Sequence, residues 1–179
     1  MRVSIVGVGD ITKLERFAGM NSEDVQRLIK NVSKLLVEKD AEVVIIPDRG
    51  IPVEIAKTYK ELGGKKILGV VPVNDIKYGI KHIEENLDML DEKIEVNSWY
   101  DADGEIAAAG DYCICVGMSA GVMRDISVLK YHYKYLESET KLIVFENTMS
   151  GKIAPEIEEA FRDKLFYINS FDELKTLLK

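Results

Sequence analysis

Apolar and polar positions along this chain follow two periods in turn. Short apolar runs at residues 2–8, 42–46, 66–71, 94–99, 112–116, 142–145 and 166–168 read as strands. Between them the apolar residues recur at helical spacing. Val25, Leu28, Val32, Leu35 and Leu36 share one face of a helix that Asn21 caps, with Glu23 and Asp24 in its first turn. Pro52 suits the first position of the next helix, whose apolar face is Ile55, Tyr59 and Leu62 and whose stop is Gly63-Gly64. Ile80, Ile83, Leu87 and Leu90 predict partial helix within the charged residues 73–93. A short helix is predicted over 101–109, and a longer one carries Val122, Ile126, Leu129, Tyr133 and Leu136. Two more follow, around 154–164 and after Ser170, where Glu173 completes a capping box. Residues 11–20, polar with Leu14 and Phe17 embedded, predict a short helix or a lid.

Strands alternating with helices imply an α/β fold: a Rossmann-like, doubly wound and mainly parallel sheet with helices on both faces. The 179 residues suit a single domain, 1–179. The expected switch point lies between the first and fourth strands, with the turns after strands one, two, four and five opening on one carboxyl edge.

Three of those turns carry the candidate chemistry. The first strand ends at Gly7-Val8-Gly9-Asp10, which lacks the third glycine of a dinucleotide fingerprint. The second ends at Pro47-Asp48-Arg49-Gly50, where Arg49 is a candidate phosphate anchor or a surface partner of Asp48. The fifth runs into Gly117-Met118-Ser119-Ala120-Gly121-Val122, a strand, a small-residue turn and a helix start. Unpaired amides and the positive end of the helix dipole suit an anion there. Asp125 is the candidate acid, with a competing reading as a first-turn aspartate that favours the helix dipole. Arg124 reads as its solvated neighbour, and His132 as a helix histidine rather than a base.

Composition narrows the partners. The net charge of −7 argues against nucleic acid and anionic membranes. No apolar run approaches the roughly 20 residues of a membrane span. The first strand begins at Arg2 and leaves no room for a signal peptide, so a cytoplasmic location is expected. Cys113 and Cys115 are assigned opposite faces of one strand, unpaired and buried. No metal and no cofactor is expected: the only histidines are His82 and His132, and Asp101 with Asp103 lack further ligands. Abundant Glu and Lys with a single glutamine, Gln26, point to a thermophilic source.

Two segments carry a family resemblance. Pro47 to Glu54, followed by Gly63-Gly64 and Leu68-Gly69-Val70-Val71-Pro72, stands where a motif like GGGxGVMEA, a helix ending in GG and a strand ending in P would stand. Gly110 to Ile126 stands where a motif like aDavIavGGxxGTLxEI would. In these the chain resembles the SLOG superfamily, which includes the lysine decarboxylase-like LOG proteins and the molybdenum cofactor carrier protein. The resemblance implies a nucleotide or related phosphorylated small molecule as ligand. LOG enzymes are phosphoribohydrolases that use a Glu of the second motif and an upstream Arg. Here Asp125 takes the Glu position, and Asp101-Ala102-Asp103 offers no cation where the Arg would be. Asp48 replaces a glycine on the phosphate side, and Met118 and Val122 replace a glycine and a threonine. These departures favour binding without turnover. The alternatives are a hydrolase using Asp125, or a structural subunit whose pocket has closed behind Met118 and Pro52. Similar proteins pair as homodimers, here through the 122–136 helix, with its Tyr131, Tyr133, Tyr135 and Leu136, together with the 52–62 helix.

Overall fold

The structure is a computed structural model and describes residues 1–75 and 80–179. In chain order it runs β1 (Arg2–Gly7), α1 (Thr12–Ala18), α2 (Ser22–Glu38), β2 (Glu42–Ile45), α3 (Ile51–Glu61) and β3 (Ile67–Pro72). The short α4 (Lys81–Glu84), β4 (Glu92–Val96) and α5 (Trp99–Ile106) follow, then β5 (Tyr112–Val116), α6 (Ala120–Tyr135), β6 (Lys141–Phe145), α7 (Pro155–Phe161), β7 (Leu165–Ile168) and α8 (Phe171–Leu177). All seven strands are parallel and form one sheet in the order β4-β3-β2-β1-β5-β6-β7. This is the doubly wound α/β fold that the alternation implies.

The strand period of two sorts the core into two layers. Val3, Ile5, Val43, Ile45, Ile114, Val116, Ile143 and Phe145 pack with α2, α3 and α8. Val6, Val44, Leu68, Val70, Leu142 and Val144 pack with α5, α6 and α7. Cys113 and Cys115 both belong to the second layer, free and fully buried. Their expected placement on opposite faces is therefore wrong, because residues two apart on a strand share a face. Burial pushes the Cys113 thiol up to about 12.

The switch point lies between β1 and β5 rather than between the first and fourth strands. β4 adds outside β3, with Leu68 opposite Glu92 and Pro72 opposite Val96. The chain must then cross back over the sheet to reach β5, and α5 is that crossover, packed on β3, β1 and α6. Trp99, read as the end of a strand, instead opens α5. Ser98 and Asp101 form a capping box immediately before it.

Segment 11–20 is a helix, not a lid. Thr12 donates to Asp10 through both its hydroxyl (2.7 Å) and its amide (3.1 Å), which starts α1 and holds the Asp10 carboxyl below its usual range. Leu14 of α1 is fully buried. Of the partial helix expected within 73–93, Lys81–Glu84 is helical and Leu87–Met89 is a single 3-10 turn. The part on residues 76–79 lies outside the described residues.

Candidate functional site

Three turns converge at the carboxyl ends of β1, β2 and β5. The Val8 amide donates to the Val116 carbonyl (3.2 Å) and the Ile51 amide to the Val8 carbonyl (3.1 Å). The Gly117 amide donates to the Thr148 hydroxyl (2.8 Å). Two glycines make this closeness possible. Gly50 has φ +76°, and a Cβ there would stand 2.2 Å from the Val8 carbonyl oxygen and 2.5 Å from the Gly9 Cα. Gly117 has φ +79°, and its Cβ would meet Leu14 at 2.7 Å. Both positions combine a left-handed backbone with no room for a side chain.

Behind these turns opens an inner chamber of about 170 Å³. Of the candidate residues, Gly7, Gly9, Arg49, Ser119, Gly121, Val122 and Asp125 line it. The other four candidates do not. Gly50 and Gly117 shape the turns, Ala120 is exposed, and Met118 packs against the second core layer instead of filling the pocket. Trp99 and Asp103 of α5 complete the lining. An outer chamber of about 490 Å³ shares Asp48, Arg49, Trp99, Asp103 and Gly121 with the inner one and adds Ile80, Lys81, His82 and Arg124. Together the two reach the size of ordinary small-molecule sites. Segment 80–90 thus supplies a wall of the cleft. Asn86 ties it there by donating to the carbonyls of Pro47 (3.2 Å) and Asp48 (3.0 Å).

The floor of the cleft is acidic and its mouth basic. Asp125 is 8% exposed and lies in the second turn of α6, not the first, so the dipole reading does not apply. Its carboxyl and that of Asp103 line the same inner chamber. Burial, then the charge of Asp103, pushes Asp125 up to about 8, while Arg124 opposes the shift. Burial also raises Asp103, again against Arg124. Burial thus favours a proton on the pair at neutral pH. Arg124 is no solvated bystander. Its Nη1 lies 3.1 Å from Asp103 Oδ2, and its guanidinium carbon lies 3.9 Å from the centre of the Tyr100 ring. Arg124 thus brings a cation from α6 to the side of Asp103. Arg49 pairs with Asp48 at 3.6 Å, the competing reading of that residue, yet still lines both chambers. Burial raises the Asp48 carboxyl against the pull of Arg49 and His82.

Ser119 caps α6, its Oγ accepting from the Val122 amide at 3.3 Å. That contact occupies one amide of the expected anion-binding group; of the other two residues, Gly121 lines both chambers and Ala120 neither. Of the residues that sequence reasoning missed, Trp99 was recoverable, because Ser98-x-x-Asp101 is a helix-start signal. Arg124 and Asp103 meet only through the packing of α5 on α6.

A second groove, of about 570 Å³, lies beside the C-terminal half of α6, and two of its lysines are held in ion pairs. Lys130 pairs with Glu156 there, and Lys164 with Glu139. Among the described residues no three His, Cys, Asp or Glu side chains are placed to hold a metal ion, and no helix is long and apolar enough to cross a membrane.

No protein-family model matches this chain, and no curated protein matches its sequence. Solved structures do. The molybdenum cofactor (Moco) carrier protein of Chlamydomonas reinhardtii is 17% identical, with 99% of this chain and 96% of that one covered and a TM-score of 0.64. The protein TM1055 is 13% identical, with 99% and 97% covered and a TM-score of 0.69. The molybdenum cofactor binding protein of Rippkaea orientalis is 12% identical, with 99% and 97% covered and a TM-score of 0.63. At these identities the likeness is one of fold, and it is the SLOG-type fold that the two motifs led us to expect. The exclusion of nucleic acid, drawn from net charge, is overturned here. DNA processing protein A of Helicobacter pylori, described for its single-stranded DNA binding mode, is similar over 99% of this chain and 80% of its own, at 13% identity and a TM-score of 0.63. Net charge is a sum over the whole surface and does not exclude a local basic site such as the mouth of this cleft.

Proposed function

We propose that the cleft binds a nucleotide or a related phosphorylated small molecule and holds it without turning it over. The observation that carries this reading is the polarity of the two joined chambers. Arg49, Lys81 and Arg124 stand at the mouth, where an anion would be held, and hydrogen-bonding carboxyls stand on the floor, where hydroxyl or N–H groups would be read. Fold neighbours named for carrying or binding the molybdenum cofactor lend support, since theirs is a binding role on the same scaffold. The reading extends to a one-domain cytoplasmic protein that pairs with a second copy.

Absence of turnover follows from the acid pair. N-glycosidic cleavage builds positive charge on the ribose, which a carboxylate stabilises and a neutral acid does not. Asp125 keeps its proton up to about 8.

The test pairs binding with chemistry. AMP and other nucleoside monophosphates should raise the melting temperature and bind by calorimetry, while base release from AMP stays at background in wild type and in Asp125→Ala alike. Turnover abolished by Asp125→Ala would replace the binding protein with a hydrolase. An oligodeoxythymidylate belongs in the same screen. Tight binding of it with no response to mononucleotides would replace the small ligand with single-stranded DNA.

A further inference from the structure

Arg124 lines the outer chamber beside Asp103, which lines both. Asp103 holds one edge of its guanidinium at 3.1 Å and the Tyr100 ring backs its plane at 3.9 Å. The rest of its planar fork of N–H donors borders the outer chamber that it lines. A guanidinium fixed on one edge and one face is preorganised to take a phosphate bidentately with little further loss of freedom. Arg49 is held more loosely, paired with Asp48 at 3.6 Å and with a side chain 62% exposed.

Beneath Arg124 the carboxyls of Asp103 and Asp125 line the same inner chamber, Asp125 almost wholly buried. The ion pair with Arg124 favours the charge on Asp103 and so the proton on Asp125. The charged groups facing this corner are Asp48 and Arg49 from the β2–α3 turn, Lys81 and His82 from α4, Asp103 from α5, and Arg124 and Asp125 from α6; the buried thiols of Cys113 and Cys115 on β5 lie behind. While Asp125 is neutral, Arg49, Lys81 and Arg124 outnumber Asp48 and Asp103 by one. Ionising Asp125 removes that excess in a partly desolvated place where charges are weakly screened.

We propose that Arg124 is the anion anchor of the cleft, taking a phosphate monoester or diphosphate in the outer chamber, and that the proton shared by Asp103 and Asp125 keeps the anchor strong. This rests on the reading of the cleft as a site for phosphorylated ligands. Because Asp125 is pushed up to about 8, anion affinity falls as pH rises through that value. The phosphate of a monoester has its second ionisation near 6, so the ligand's charge is constant over this range.

The experiment is calorimetry with AMP at pH 7.5 and pH 9.0, and with inorganic pyrophosphate at pH 7.5 alone, all in a His82→Gln background so that the imidazole makes no contribution. On that background, Arg124→Gln should bind at least about tenfold more weakly, and Arg124→Lys should fall between. With Arg124 intact, affinity should drop severalfold from pH 7.5 to 9.0. Asp125→Asn, which keeps the shape without the ionisation, should bind equally at both. Should Arg124→Gln fail to fold, Arg124→Lys and the Asp125→Asn pH profile still decide. If neither probe binds with Arg124 intact, the phosphorylated-ligand reading fails and the inference with it. Undiminished binding by Arg124→Gln or Arg124→Lys overturns the anchor alone. A pH profile unchanged by Asp125→Asn overturns the role of the shared proton.

Discussion

At the scale of single residues, Asp125 carries the largest energetic consequence. In the unfolded chain its carboxyl ionises near the ordinary value of 3.8, and in the folded chain it keeps its proton to about 8. Between those values the folded state binds one proton more than the unfolded state, so stability falls as pH rises from about 4 to about 8. Above that range the folded state must hold two adjacent carboxylates, relieved only in part by Arg124. Asp125→Asn removes the penalty and keeps the shape. At pH 8 the variant should be more stable than wild type by on the order of 1–3 kcal/mol, and at pH 4 the gain should vanish. Urea unfolding at the two pH values measures it. A variant no more stable at pH 8 would show that Asp125 is ionised in the native protein. A protein that keeps such a residue gives up stability at a site, the usual mark of function rather than architecture.

At the scale of elements, α6 is the clearest case of local chemistry building the cleft. Ser119 sits at its N-cap with extended backbone and accepts from the Val122 amide. Ser119→Ala should therefore cost about 1 kcal/mol of stability and Ser119→Gly only a few tenths, read from denaturant midpoints at constant slope. This helix, β5 before it and the turn between them were legible in the sequence, because an apolar run of strand length gives way to helical spacing across small residues. The same holds for β1, β2 and β3, short apolar runs buried on both faces, and for α2, whose buried face repeats at helical spacing. The place of β4 was not legible. Its residues Glu92-Lys93-Ile94-Glu95-Val96 alternate as any half-exposed strand would, and nothing local says which neighbour it takes. Its position beside β3 is settled by the tertiary fold, and it sends α5 across the sheet. From that one fact follow the corrected switch point, Trp99 at the cleft and Asp103 against Asp125. The glycines and Ser119 were found because turns and caps have local signatures. Arg124 was misread because its partners, Asp103 and Tyr100, come from another element.

At the scale of the whole molecule, the question is which surface could meet a second copy. The sheet edge at β4 is poorly suited to pairing. Glu92, Lys93 and Glu95 are exposed along it, and Lys66 bridges Glu42 and Glu92 nearby, a charged edge that discourages strand addition. One face of the helix α3 is in the core layer opposite to α6, through Ile51, Val53, Ile55, Ala56 and Tyr59, while Leu62 after it is exposed. Three of the exposed large apolar side chains gather at the end of α6. Tyr133 turns inward, donating to the Thr140 carbonyl and meeting Phe161 edge-on. Tyr131 and Tyr135 stack on each other, 55% and 64% exposed, and Leu136 beside them is 68% exposed. Aromatic residues at i and i+4 with a leucine adjoining make a contiguous apolar surface of the kind that a two-fold contact buries against itself. Light scattering at micromolar concentration should therefore report twice the 20.2 kDa chain mass. The double variant Tyr131→Ser with Leu136→Ser should report the monomer, with an unchanged circular dichroism spectrum and unchanged affinity for AMP, since neither residue lines the cleft. A wild-type monomer at that concentration, or a dimer indifferent to the double substitution, would move the interface off α6.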